Sequence, residues 1–248
     1  MRYLVLSDIH ANIDALDAVL EAAPPGSYDG AVVLGDLVGY GAEPNLVVDR
    51  VRALSPVAIV RGNHDKVAAG LESAEGFNPT AQRSAAWTRD ALSRETREYL
   101  VALPEGPRVL DDLVEICHGS PVDEDTYIFG ELDAAEALAA SRRRVCLFGH
   151  THLPTTAALD ASRSLEVLFH RAHRDQRVTF SDGRRYLANP GSVGQPRDGD
   201  PRAAFAVFDT EALAIHIQRV EYPVEQARDR ILAAGLPKPL AIRLMHGR

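Results

Sequence analysis

Apolar residues in the first third of the chain fall into short runs separated by stretches with helical spacing. Arg2–Ser7 is mostly apolar and predicts a strand. Asn12 precedes an apolar stripe at Ile13, Leu16, Val19 and Leu20, spaced three and four apart, which predicts a helix with Asn12 as its cap. Pro24-Pro25-Gly26 ends that helix. Apolar runs at Ala31–Leu34 and Val57–Val60 flank a second predicted helix over Pro44–Leu54. Strand, helix, strand at this spacing predicts parallel pairing through crossover helices.

From Asn78-Pro79 to Leu103 the pattern is helical, with Trp87, Leu92, Tyr99 and Leu100 on compatible positions. Val109–Leu110, the turn pair Asp111-Asp112 and Leu113–Cys117 predict a hairpin leading into a buried strand. A helix over Leu132–Ala140 leads to an apolar run at Val145–Phe148. Between Thr155 and Leu187 the pattern loosens into short strands and polar turns. Arg163–Arg185 is expected as an exposed hairpin, with a lid over a site as the alternative. Ala203–Phe208 and Ala214–Val220 predict paired strands, and Val224–Ala233 an amphipathic helix. Nothing repeats and no linker divides the chain. The reading is one α/β domain over residues 1–220, with residues 221–248 as its C-terminal helical appendage.

Composition narrows the class. The chain has 248 residues, 46% hydrophobic and 25% charged, which excludes disorder. No apolar run approaches the ~18 residues of a membrane span, and no export leader is seen, so a cytoplasmic protein is expected. The balance of 27 Lys+Arg against 35 Asp+Glu gives −8, which disfavours nucleic acid and anionic membranes as partners. Cys117 and Cys146 sit in apolar runs and are expected as buried thiols.

Five polar blocks each follow a predicted strand: Asp8-Ile9-His10, Gly35-Asp36, Gly62-Asn63-His64-Asp65, His118-Gly119 and Gly149-His150-Thr151-His152. Ligands bind beyond the carboxyl ends of parallel strands, so the blocks are expected to converge. In extended backbone, residues two apart point to one side. Asp8 with His10, and His150 with His152, would then each present two donors to one place. Gly-Asn-His-Asp arises by chance in roughly one in a thousand chains of this composition. The donors are carboxylates, imidazoles and one amide, with no thiolate. That mixture suits Mn, Fe, Co, Ni or Zn. Seven donors exceed one tetrahedral ion but suit two ions sharing a carboxylate, an arrangement that activates water for displacement at phosphorus.

These blocks resemble the signature of the calcineurin-like metallophosphoesterase superfamily: D-x-H, GD, GNH[D/E], H and GHxH. The resemblance runs from Tyr3 to about Asp209. It implies a two-sheet sandwich flanked by helices, in α-β-β-α layers. It implies two divalent metal ions, with manganese favoured. Asp8, His10, Asp36 and His152 would hold the first, and Asp36, Asn63, His118 and His150 the second. His64 would face the substrate as the catalytic histidine, and a metal-bridging hydroxide would be the nucleophile. Gly35–Gly41 and Asn189–Arg197 are similar to the small prokaryotic branch of phosphatases and phosphodiesterases. The Asp-Arg-Gly that orients the histidine in the protein phosphatases is replaced here by Gly39-Tyr40-Gly41.

The resulting expectation is a hydrolase of small phosphate esters, either diesters or monoesters. A dinucleoside polyphosphate hydrolase or nuclease is one alternative, and a non-catalytic scaffold for protein partners is another. Asn12, Tyr40 and Arg197 are candidate substrate contacts, with helix capping the competing role for Asn12. His170, His173, His216 and His246 are expected at the surface or in packing. The apolar segment Leu236, Leu240, Ile242 and Leu244 suggests a homodimer contact.

Overall fold

Alternation along the first strand sets the layers. In β1 (Arg2–Leu6), Tyr3 and Val5 enter one apolar cluster, while Leu4 and Leu6 enter another. Successive side chains of a strand point to opposite faces, so β1 is buried on both sides. This computed structural model describes residues 1–160, 162, 164–169 and 175–248.

After β1 come α1 (Ile13–Ala22), β2 (Gly30–Val33), α2 (Pro44–Leu54), β3 (Ala58–Ile59) and α3 (Asn63–Ala69). A middle section holds α4 (Pro79–Ala91), α5 (Arg94–Ala102), β4 (Arg108–Val109), β5 (Val114–Ile116), α6 (Glu131–Ala140) and β6 (Val145–Leu147). Six strands follow: β7 (Thr155–Leu159), β8 (Leu165–Phe169), β9 (Gln176–Thr179), β10 (Arg185–Asn189), β11 (Ala203–Asp209) and β12 (Ala214–Val220). Helices α7 (Val224–Ala233) and α8 (Lys238–Leu244) come last.

The strands form two mixed six-stranded sheets, ordered β3-β2-β1-β11-β12-β9 and β4-β5-β6-β10-β7-β8. In the first sheet β1, β2 and β3 are parallel, and in the second β5, β6 and β10 are parallel. Tyr3, Val5 and Phe208 of one sheet meet Ile116, Leu147 and Tyr186 of the other in the central core. Leu4, Leu6 and Val33 pack outward on Leu16, Val47 and Leu100 of the helices. Cys117, Cys146 and Phe148 pack outward on Ala134 and Leu138 of α6. Helix, sheet, sheet, helix is the layering expected from the sequence. No helix among the described residues is long and apolar enough to cross a membrane.

Two stretches gain detail and two expectations are corrected. The stretch from Asn78 to Leu103 is two helices, because Ser93 starts a new one, its hydroxyl accepting from Thr96 N at 3.1 Å. In the Gly62–Asp65 block Asn63 opens α3, a short helix that is buried from His64 to Ala69 and so shows no amphipathic stripe. The described part of Arg163–Arg185 is not one hairpin, since β8 joins the edge of one sheet and β9 the edge of the other. His170 and His173 lie outside the described residues. Finally, Leu236, Leu240 and Leu244 pack within the chain against Tyr40, Ala81 and Ile231, leaving Ile242 exposed. That segment therefore no longer argues for a second copy.

Leu240 is fully buried in this cluster. Leu240→Ala should lower unfolding free energy by about 2–5 kcal/mol in urea titrations. An unchanged midpoint would place α8 outside the cooperative core.

Candidate metal centre

The five polar blocks follow their strands, and three of them turn through left-handed backbone. Asp8, His10, Asp36, His150 and His152 have φ of 52°, 49°, 54°, 65° and 61°. For residues other than glycine this region is strained, by about 1–3 kcal/mol each, and such residues cluster at functional sites. The expectation of extended backbone is thus corrected. Asp8 and His10 do serve one place, but His150 and His152 diverge to two neighbouring ones.

Ligand atoms of Asp8, His10, Asp36 and His152 gather into one buried group, and those of Asp36, His118 and His150 into another. Asp36 belongs to both. Its Oδ2 lies 3.5 Å from His10 Nε2 and 3.4 Å from His118 Nε2. Its Oδ1 accepts from His64 N at 2.9 Å, satisfying one of the free amides that open α3. Asn63 adds its Oδ1 to the second group, 3.2 Å from His118 Nε2.

Main-chain carbonyls aim the imidazoles. His10 Nδ1 is 3.1 Å from Val38 O, His152 Nδ1 2.6 Å from Gln195 O, and His118 Nδ1 2.7 Å from Leu34 O. A carbonyl can only accept, so each Nδ1 carries the proton and, in the neutral ring, Nε2 presents a lone pair inward. His150 is aimed the other way round, its Nε2 donating to Asp125 O at 3.0 Å. His10 Nε2 and His152 Nε2 stand 3.2 Å apart with no donor proton between them. Facing lone pairs, beside the Asp8 and Asp36 carboxylates, are a donor set that fits a divalent cation.

Burial governs the protonation of the cluster. It raises the Asp8 carboxyl to about 7 and pushes His10 and His152 well below the usual imidazole range. It lowers His150 to about 3 and His64 to about 4. Burial would also raise Asp36, but His118, His64 and His10 hold it well below its ordinary value. His118 goes the opposite way: burial opposes its charge, but Asp36 and Asp8 raise it to about 10.

His64 stands in an aromatic frame, with ring centroids 4.3 Å from Tyr40 and 4.6 Å from Phe77, and edge-on to His10 at 5.0 Å. Its Nδ1 is buried without a partner. Gly39, at φ +88°, lies opposite that atom, and a Cβ there would come within 2.6 Å of it. Ring packing therefore surrounds His64 where Gly39-Tyr40-Gly41 brings no carboxylate. The neighbouring Asp65 accepts from Val38 N and Gly62 N instead.

The three candidate substrate contacts separate. Asn12 caps α1, accepting from Ala15 N at 3.1 Å, and donates to Gly194 O at 2.9 Å, so both ends of its amide are engaged within the protein. Tyr40 packs on His10 and His64, and Arg197 lies over the Tyr40 ring. The loop after β10 forms a wall: Ser192 Oγ donates to Asp8 O and Asn189 Nδ2 to Gly149 O, both at 2.7 Å. Three residues at the site escaped the sequence reading. Phe77 lies against His64, Tyr127 stacks on His150 at 3.8 Å, and Arg243 reaches Tyr40 from α8. The one sequence signal was the aromatic pair Tyr127 and Phe129 following an acidic stretch.

An ionic clip fixes the loop that carries Tyr127. Lys66 of α3 pairs with Glu124 at 3.0 Å, Asp125 at 2.7 Å and Glu72 at 2.9 Å, and Arg61 holds both oxygens of Glu124.

Comparison with known proteins agrees with this geometry. Residues 1–213 match the calcineurin-like phosphoesterase superfamily domain, and the chain belongs to that family. It is similar to a metallophosphoesterase structure from Sphaerobacter thermophilus, with 39% identity, full coverage of both chains and a TM-score of 0.86. The protein MJ0912 of Methanocaldococcus jannaschii is 33% identical over 98% of this chain and 97% of its own length. Phosphodiesterase YfcE of Escherichia coli is 24% identical over 87% of this chain and 91% of its own.

Burial would raise the Glu124 carboxyl, but Arg61 and Lys66 hold it below its ordinary value of 4.5. A carboxyl depressed by folding stabilises above its unfolded pKa and loses that contribution as pH falls through the folded one. Glu124→Gln should therefore cost about 2 kcal/mol at pH 7. The gap from the wild type should shrink as pH falls below 4.5, followed by denaturation at stepped pH.

Proposed function

We propose that this chain hydrolyses phosphate esters with two divalent cations, manganese being the first to test. Asp8, His10, Asp36 and His152 would hold one, and Asp36, Asn63, His118 and His150 the other. The observation that carries this reading is the position of Asp36 Oδ2, between His10 Nε2 at 3.5 Å and His118 Nε2 at 3.4 Å. A carboxylate shared by two converging donor groups suits a pair of ions better than a single one. Bound there, such ions supply a water of lowered pKa and a positive clamp on phosphoryl oxygens.

The protein's own groups do the rest. His64, kept neutral by burial, offers a hydrogen-bond donor to a phosphoryl or leaving oxygen. The backbone strap from Ser192 to Gln195 fixes Asp8 and His152, so the donors need no rearrangement when ester binds. The name of the YfcE relative supports diesters as the first substrates to assay.

Chelation should abolish hydrolysis of bis(p-nitrophenyl) phosphate, and Mn²⁺ should restore it. A chelated protein that stays fully active would refute the reading. Asp36→Asn should lower the content of both ions together by elemental analysis, whereas retention of two per chain would remove the shared carboxylate. His64→Ala should keep its metal and lose turnover by about 10²–10³-fold.

A further inference from the structure

The family match ends at residue 213, yet α8, well beyond it, reaches the site. Arg243 of α8 and Arg197 of the loop after β10 both lie over the Tyr40 ring, their guanidinium carbons 5.1 and 5.8 Å from its centroid. Tyr40 in turn touches His10 and His64. The two guanidiniums share one amide acceptor, Gln195 Oε1, at 2.5 Å from Arg243 and 3.3 Å from Arg197. Arg243 Nε donates to the main-chain oxygen of Arg248 at 2.8 Å, while Arg197 Nε is buried with no partner. Among the described residues neither cation forms an ion pair with an Asp or Glu side chain.

Two adjacent guanidiniums carry ten N–H donors between them. The Gln195 amide oxygen, the Arg248 main-chain oxygen and the Tyr40 and Tyr127 hydroxyls beside Arg197 are fewer acceptors than that, and Arg197 Nε has none. Half-buried, they also repel each other. Burial and the neighbouring Arg197 lower Arg243 to about 10. What relieves both the repulsion and the unfilled donors is an oxyanion, which the planar fork of arginine binds through paired hydrogen bonds. The Arg197 charge is felt at Asp8, His10, His64 and His152, so such an anion would lie at the mouth of the candidate metal centre.

We propose that Arg243 joins Arg197 in binding a phosphoryl group with two negative charges, so that the appendage tunes the site toward phosphomonoester dianions over singly charged diesters. The proposal rests on the phosphoesterase reading for its substrate, but the anion site itself does not depend on turnover.

The test uses the full chain with its metal bound. Equilibrium dialysis of labelled inorganic phosphate at pH 8 should show affinity reduced at least tenfold in Arg243→Gln. Arg243→Lys keeps the charge and the aliphatic stem but not the fork, and should lose three- to tenfold. It keeps the test alive if Arg243→Gln does not fold. In the same variants, kcat/KM for p-nitrophenyl phosphate relative to bis(p-nitrophenyl) phosphate should fall at least tenfold for Gln. Phosphate affinity and substrate ratio both within twofold of wild type would overturn the proposal. So would metal content falling in step with phosphate affinity, because Arg243 would then merely brace Gln195 and His152. If phosphate affinity falls as expected while the wild type hydrolyses neither ester, the anion site stands and the phosphoesterase reading fails.

Discussion

The site depends on one costly constraint: several polar side chains must be buried together at the ends of strands that are themselves buried. Left-handed backbone at Asp8, His10, Asp36, His150 and His152 turns the chain sharply enough to gather these groups. Each such turn is strained, so the surrounding structure must over-determine it. Backbone bonds supply that support, among them Asp8 N to Gly35 O, His10 N to Asp36 O and Gly194 N to Asp8 O. The sandwich is the frame that holds the strain. Its two cores fix β1 from both faces, and β1 delivers the first two polar side chains.

Asp36 concentrates the same logic in one side chain. One oxygen completes the amide hydrogen bonding at the start of α3, and the other faces both donor groups. Position and chemistry are therefore coupled, because the helix that presents Asn63 and His64 is fixed by the carboxylate those residues surround. The close approach of Gly62 to Asp36 explains why no side chain fits at the first position of that block.

Much of this was legible from the sequence. The apolar runs located β1, β2, β5 and β6 to within a residue or two, because buried strands leave an uninterrupted apolar trace. The polar blocks contain seven residues whose donor atoms lie together in the structure, and they stood out because His, Asp and Asn recur at short fixed spacings after apolar runs. What escaped follows from the same physics. Helix α3 is buried all round and so has no periodic signature. The left-handed turns cannot be read from Asp and His, which favour that conformation more than most residues yet adopt it at few of their positions. Phe77, Tyr127 and Arg243 reach the site through tertiary packing, and no local pattern announces them. The apolar residues of α8 were visible, but sequence cannot tell an internal partner from an external one.

The contribution of α8 bears on how the protein is made. Synthesis runs from the N-terminus, so the residues gathered around Asp36 are all in the chain by position 152. Arg243 is added some ninety residues later. A nascent polypeptide on the ribosome thus possesses every candidate donor for metal well before it possesses the second guanidinium over Tyr40. The order of synthesis thus puts every candidate donor ahead of the α8 arginine that borders them, while β11 and the Ser192–Gln195 strap, which hold β1, Asp8 and His152 in place, are made between the two.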